Sequence, residues 1–170
     1  MNDEPLAYFI TWTVYGTFLQ GDDRGWRKWK SGAKLPAPLL AAWRRDRLMH
    51  DVTLLTKTQR AAVESEILRL SECKGWTLWT CSARSNHVHV VLSAAGFAGS
   101  KVRDQLKANC TQVLRNGWRQ FCDRPVWTVG GDRVCVNDED DLEQVILYVN
   151  DAQDRKDRDL EQPNPSSPPL

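Results

Sequence analysis

The chain has 170 residues and lacks several features that would fix its chemistry at a glance. It has no Cys-x-x-Cys pair: Cys73, Cys81, Cys110, Cys122 and Cys135 are scattered and odd in number, which argues against a thiolate zinc site and predicts reduced, mostly buried thiols. It has no apolar run near the ~20 residues of a membrane helix. Its opening, Met1-Asn2-Asp3-Glu4-Pro5, is acidic and polar, unlike a signal peptide, so a soluble cytoplasmic protein without a membrane partner is expected. It has little net charge, +1, so no overall basic field draws it to nucleic acid. Any such surface must come from local segregation of charge: Arg24 to Arg47 is basic and Asn137 to Glu143 acidic. Histidine and tyrosine are scarce, at three each, so the position of each one carries weight.

Tryptophan, by contrast, is abundant at eight, and most of these residues belong to a core. Trp26, Trp29 and Trp43 are instead interleaved with cations. The stretch from Gly21 to Gly32 is a glycine-punctuated loop carrying Arg24, Trp26, Arg27, Lys28, Trp29 and Lys30. Flexible backbone, positive charge and flat rings are what a binder of single strands or hairpin flanks combines, although a surface loop with its tryptophans folded inward has the same composition. A short helix, about Pro38 to Met49, adds Arg44, Arg45 and Arg47 as candidate phosphate contacts.

The length predicts one domain with a real core. Tyr8 to Tyr15 is aromatic and β-branched and reads as a central first strand. An amphipathic helix follows at about Thr58 to Cys73, ended by Gly75, and then a strand at Trp76 to Ala83. Ser100 reads as the cap of a long helix reaching about Phe121, with Val102, Leu106, Ala108, Val113 and Leu114 buried and Arg103, Lys107 and Arg115 among its exposed charges. Pro125 to Val129 and Asp132 to Val136 read as a hairpin around Gly130-Gly131. Asn137 or Asp138 caps a last helix with Leu142, Val145, Ile146 and Val149 inward and Tyr148 on its surface. From Asp154 the chain is charged, then proline-rich, a disordered tail. The order β, helix, β, β, helix, β with a late helix predicts an α+β, ferredoxin-like split βαβ sandwich: an antiparallel sheet with helices on one face. The expected limits are one domain over 1–153, an insertion at about 16–56 and a tail over 154–170.

Two of the three histidines fall in Arg84-Ser85-Asn86-His87-Val88-His89-Val90-Val91-Leu92. Strand side chains alternate, so His87 and His89 share one face while Val88, Val90 and Leu92 form an apolar stripe on the other. Two imidazoles side by side on a rigid strand suit a metal site. A lone His-x-His is more often an edge strand with two surface histidines, but here Asn86 precedes the pair and an apolar strand follows it.

Asn86-His87-Val88-His89-Val90-Val91-Leu92 resembles the His-hydrophobic-His motif of single-tyrosine transposases, above all the REP-associated tyrosine transposases. The stretch Thr13-Val14-Tyr15-Gly16-Thr17-Phe18-Leu19-Gln20-Gly21-Asp22-Asp23-Arg24-Gly25-Trp26 is similar to the beginning of many such proteins, and the resemblance spans about Tyr8 to Gln153. It implies a metal-dependent enzyme that cuts and rejoins single-stranded DNA near imperfect hairpins through a 5′-phosphotyrosine, as a monomer or homodimer. It further implies Mg²⁺ or Mn²⁺ on His87 and His89, Asn86 supporting the motif, and Tyr148 as nucleophile. A third, oxygen-bearing ligand is expected about one turn beyond the tyrosine, where the residue four along is Ala152. Asp151, three along, shares the tyrosine's face of an α-helix; Gln153, five along, is rotated off it unless the helix frays. Both stand as candidates. A helix outside the sheet can swing, so the Tyr148 hydroxyl need not lie near the histidines without DNA. Two other classes fit the composition: a domesticated, catalytically weak binder of hairpin DNA or RNA, and an unrelated metal-dependent phosphoesterase of ferredoxin-like fold.

Overall fold

The computed structural model describes residues 4–17, 26–28, 32–34 and 38–152. Strand β1 (Ala7–Thr13) ends two residues before Tyr15. The basic loop contains two short paired strands, β2 (Trp26–Lys28) and β3 (Gly32–Lys34), where only a loop was expected. Helix α1 (Pro38–Arg45) is shorter than predicted and α2 (Lys57–Lys74) longer. The cap of α2 is Thr56: its hydroxyl accepts from the Gln59 amide while the Gln59 side chain accepts from the Thr56 amide. Gly75 closes α2 in the left-handed conformation its φ of 70° requires. Strands β4 (Thr77–Ala83) and β5 (His87–Ser93) form the predicted antiparallel pair across the Arg84–Asn86 turn.

Helix α3 (Gly99–Gly117) departs from expectation at its start. The cap position is Ala98 and no side chain caps it, so Ser100 lies inside the helix. A short 3₁₀ turn covers Arg119–Phe121. Of the residues predicted inward, Val102, Leu106 and Leu114 are buried, Val113 is half-buried and Ala108 is exposed.

The predicted hairpin at Gly130-Gly131 does not form. Strand β6 (Asp132–Val136) pairs antiparallel with β1, and the preceding segment also meets the β1 line, through a Val14–Trp127 bridge and bonds from Tyr15 to Val126 and Thr128 to Thr13. The two segments therefore lie end to end along one edge. Lys107 Nζ donates to the carbonyls of Thr128 and Gly130, and Arg103 donates to that of Gly131, fixing the kink between them. Burial pushes the Lys107 ammonium pKa down. Gly131 has a φ of 133°, and a Cβ there would come within 2.7 Å of the Thr11 carbonyl. These cations, with Arg115 bonded to the Phe121 and Arg124 carbonyls, bind backbone instead of supplying only solvated charge.

The sheet order β4-β5-β1-β6, antiparallel throughout, is that of the split βαβ sandwich. One face carries Tyr8, Ile10, Trp12, Val88, Val90 and Leu92 against Val63, Ile67 and Leu70 of α2 and Val102, Leu106 and Leu114 of α3. The other carries Ala7, Phe9, Val91 and Val136 against Leu142, Val145 and Val149 of the last helical segment. That segment is α4 (Glu139–Leu147), capped by Asp138, continuing into a π turn over Tyr148–Ala152. Only Cys110 of the five cysteines is buried; Cys73, Cys122 and Cys135 are exposed and Cys81 half-buried, against the expectation of mostly buried thiols. Among the described residues, no helix is long and apolar enough to cross a membrane.

Candidate active site on the second sheet face

Strand alternation places His87 and His89 as predicted, and the sheet order makes β5 an interior strand between β4 and β1. In register, Thr13 stands opposite His87 and Thr11 opposite His89 on β1, with Ser82 opposite His89 on β4. The two imidazole centroids are 4.6 Å apart with planes at 73°. His89 is buried, stacked on Phe9 at 5.4 Å.

The ring nitrogens are differentiated by their neighbours. His87 Nδ1 lies 2.6 Å from Asn86 Oδ1, an acceptor, so Nδ1 carries a proton, which in the neutral ring leaves the lone pair on Nε2. His89 Nδ1 lies 2.8 Å from Thr11 Oγ1. Burial first, then His87, then Arg84 depress the His89 pKa well below the usual imidazole value, so the ring is held neutral. Neutral rings with Nδ1 engaged by an oxygen are the form in which histidine ligates a metal through Nε2. Such a pair of nitrogen donors suits two coordination positions of a divalent cation. Among the described residues, no group of three or more His, Cys, Asp and Glu side chains is gathered to hold a metal.

Tyr148 is not swung away. Its ring lies edge-on to His89 at 6.0 Å and to Phe9 at 6.1 Å, half-buried at the end of α4. Tyr148 is half-buried where a surface position was expected, because Val145 and Val149 bury on the same sheet face and draw the turn between them inward. The other tyrosines are committed elsewhere. Tyr8 is buried on the opposite face, its hydroxyl donating to the Phe97 carbonyl, and burial chiefly raises its pKa. Tyr15 accepts from the Met49 amide.

The remaining predicted residues divide by location. Arg24, Trp29, Lys30 and Gln153 lie outside the described residues. The backbones of Trp26, Arg27 and Lys28 form β2, and that of Arg44 is in α1 beside exposed Arg45. Asp151 is in the π turn, so the α-helical spacing that put it on the tyrosine's face does not apply there. Thr11 was missed by sequence reading. Its signal was available: alternation along β1 places Phe9, Thr11 and Thr13 on one face, but only the pairing register shows that this is the histidine face.

No protein-family model matches the chain, and no curated protein matches it. Among solved structures it is similar to a REP-associated tyrosine transposase bound to a REP hairpin, with a TM-score of 0.52 and 10% identity, covering 91% of this chain and 70% of that one. It is also similar to a protein of Deinococcus radiodurans R1 provisionally assigned as a transposase, with a TM-score of 0.46 and 11% identity, covering 85% and 88%. At this identity the likeness is one of architecture. With its antiparallel sheet and packed helices, the chain shares the fold of that REP-associated tyrosine transposase.

Proposed function

We propose that the chain is a transposase-type enzyme that cuts and rejoins single-stranded DNA near hairpins through a covalent bond to Tyr148. The observation that carries the reading is the gathering of Tyr148, His89 and His87 on one sheet face, with ring centroids 6.0 and 4.6 Å apart in sequence. His87 and His89 would hold a Mg²⁺ or Mn²⁺ ion, with Gln153 or Asp151 adding an oxygen, and the ion when bound would polarise and neutralise the scissile phosphate.

In this reading the chain's own groups do the following. With the His89 Nδ1 proton directed to Thr11 Oγ1 and that of His87 to Asn86 Oδ1, both neutral rings would keep Nε2 lone pairs. Arg84, whose charge already acts on His89, adds positive potential beside the phosphate. The Tyr148 oxygen attacks phosphorus, forming a Tyr–O–P bond to the 5′ side. The P–O3′ bond breaks, and the proton lost by the phenol ends on the departing 3′-hydroxyl. The phosphodiester count is unchanged, so the reverse reaction rejoins a strand. Arg24, Trp26, Arg27, Lys28, Trp29, Lys30, Arg44 and Arg45 hold the DNA by phosphate contact and base stacking. The similar transposase's REP hairpin makes hairpin DNA the substrate to try first.

The test is covalent capture. The wild type is incubated with Mn²⁺ and a pool of hairpin oligonucleotides with randomised single-stranded flanks, and adducts are separated and mapped by mass spectrometry. A nucleotide on Tyr148, absent from Tyr148→Phe and His87→Ala proteins that still bind the pool, is expected. Hairpin binding without any adduct would replace this reading with a structural binder. An adduct on Tyr8 or Tyr15, or small-phosphoester turnover without an adduct, would overturn it.

A further inference from the structure

The Tyr148 turn is tied to the sheet by a bond that the proposed chemistry does not use. Thr80 Oγ1 of β4 donates to Asn150 Oδ1 of the π turn at 2.6 Å. Thr80 faces that turn because β4 is irregular. Leu78 pairs with Leu92, but the next partner, Val91, stands opposite Thr80, so Trp79 is an extra residue in the ladder. In an unbroken ladder, with Trp79 opposite Val91, Thr80 would fall opposite Val90 and point into the α2/α3 core. A bulge reverses the faces of the residues beyond it, and this one turns Thr80 and Ser82 to the histidine face. The bulge is itself anchored: Trp79 Nε1 donates to Ser93 Oγ at 2.9 Å, and Ser93 Oγ donates to the Leu6 carbonyl.

We infer that Thr80 is a positioning residue for Tyr148: the Trp79 bulge aims the Thr80 hydroxyl at Asn150, and this bond holds the tyrosine turn against His89. The inference rests on the reading of Tyr148 as nucleophile, but its structural half stands alone. The π turn has a wider backbone ladder than the α-helix it extends and is a short, weakly self-supporting element. Val149 buries on one side of it, and the Thr80 bond holds it two residues after the tyrosine.

The experiment uses the full chain labelled with 3-fluorotyrosine, which gives three ¹⁹F signals for three tyrosines. Tyr148→Phe assigns the one of interest. In Thr80→Val the Tyr148 signal should shift or broaden as its ring leaves His89 and Phe9, while those of Tyr8 and Tyr15 stay in place. Adduct formation at saturating Mn²⁺ and captured oligonucleotide should slow about fivefold, the loss of one partly exposed neutral hydrogen bond, with DNA affinity held within about twofold. Thr80→Ser should restore both. Asn150→Ala tests the bond from its other end should Thr80→Val misfold. A Tyr148 signal unmoved in the folded variant overturns the latch. A moved signal with an unchanged adduct rate overturns its role in catalysis. Adduct formation by Tyr148→Phe would instead overturn the underlying reading, and the ¹⁹F result would still decide whether the latch exists.

Discussion

Strand β5 sends alternate side chains to two unlike environments. Val88, Val90 and Leu92 are 0% exposed, closed under two long helices in a predominantly aliphatic and aromatic cluster. His87 and His89 face the other way, where α4 covers only part of the sheet and the rest is imidazole, hydroxyl, amide and phenol. One face is a seal and the other, in the function proposed above, a worksite. The seal makes the worksite rigid: the backbone that fixes the valines fixes the histidines one residue away, so the imidazoles need no flexible loop to bring them together.

The largest test of this division exchanges damage between the faces. Leu106→Ala opens a cavity in the sealed face and should cost about 2–5 kcal/mol of stability while leaving the adduct yield per folded molecule unchanged. His87→Ala should do the reverse, changing stability by about 1 kcal/mol or less and abolishing the adduct. Urea unfolding and adduct assays on the same samples decide it. A large stability loss from His87→Ala would merge the two faces into one core.

A smaller effect is expected from pH. The folded-state pKa of His89 is depressed below the ordinary 6.5, through burial first. As pH falls through that value the unfolded chain takes up a proton that the folded chain refuses. Stability from this group is therefore complete above about pH 6.5 and drains away below it, at no more than about 1.4 kcal/mol per pH unit. Urea midpoints in chelator between pH 7.5 and 5.5 should fall for the wild type and flatten for His89→Gln. Equal slopes would show that His89 titrates freely and is not shielded.

The smallest effect lies within the sealed face. Thr56→Ala should cost about 1 kcal/mol by removing a cap from α2, whereas Ser100→Ala should cost at most a few tenths. Comparable thermal shifts for the two would restore Ser100 as the start of α3.

The histidine face was legible in the sequence because strand alternation has a period of two and two positions define it. The sheet order followed from the element order. What was not legible depends on partners far along the chain. Gly130-Gly131 looks like a hairpin locally, yet both flanking segments meet β1, and only Arg103 and Lys107 on a distant helix show why the chain kinks there. The Trp79 bulge has no local mark, since Leu78-Trp79-Thr80 has ordinary strand composition, and its effect is seen only in the ladder with β5. The tyrosine's closeness was hidden because helical periodicity gives a buried stripe but not the depth to which its margin sinks. The buried-thiol expectation failed for a similar reason: Phe121 and Val136 are buried while Cys122 and Cys135 beside them are exposed, so apolar sequence neighbours do not fix a thiol's burial.

The position of β5 inside the sheet has a consequence for how the molecule opens. Its backbone amides and carbonyls are shared with β4 on one side and β1 on the other, so the strand is released only when the whole sheet comes apart. The π turn bearing Tyr148 ends a nine-residue helix and lets go at far smaller cost. In amide hydrogen exchange the histidine strand would belong to the slowest, globally protected class and the tyrosine turn to a fast, locally opening one. The two halves of the proposed site would then sit at opposite ends of the protein's own stability scale: a fixed anvil, and a tyrosine turn that opens locally while the fold stays shut.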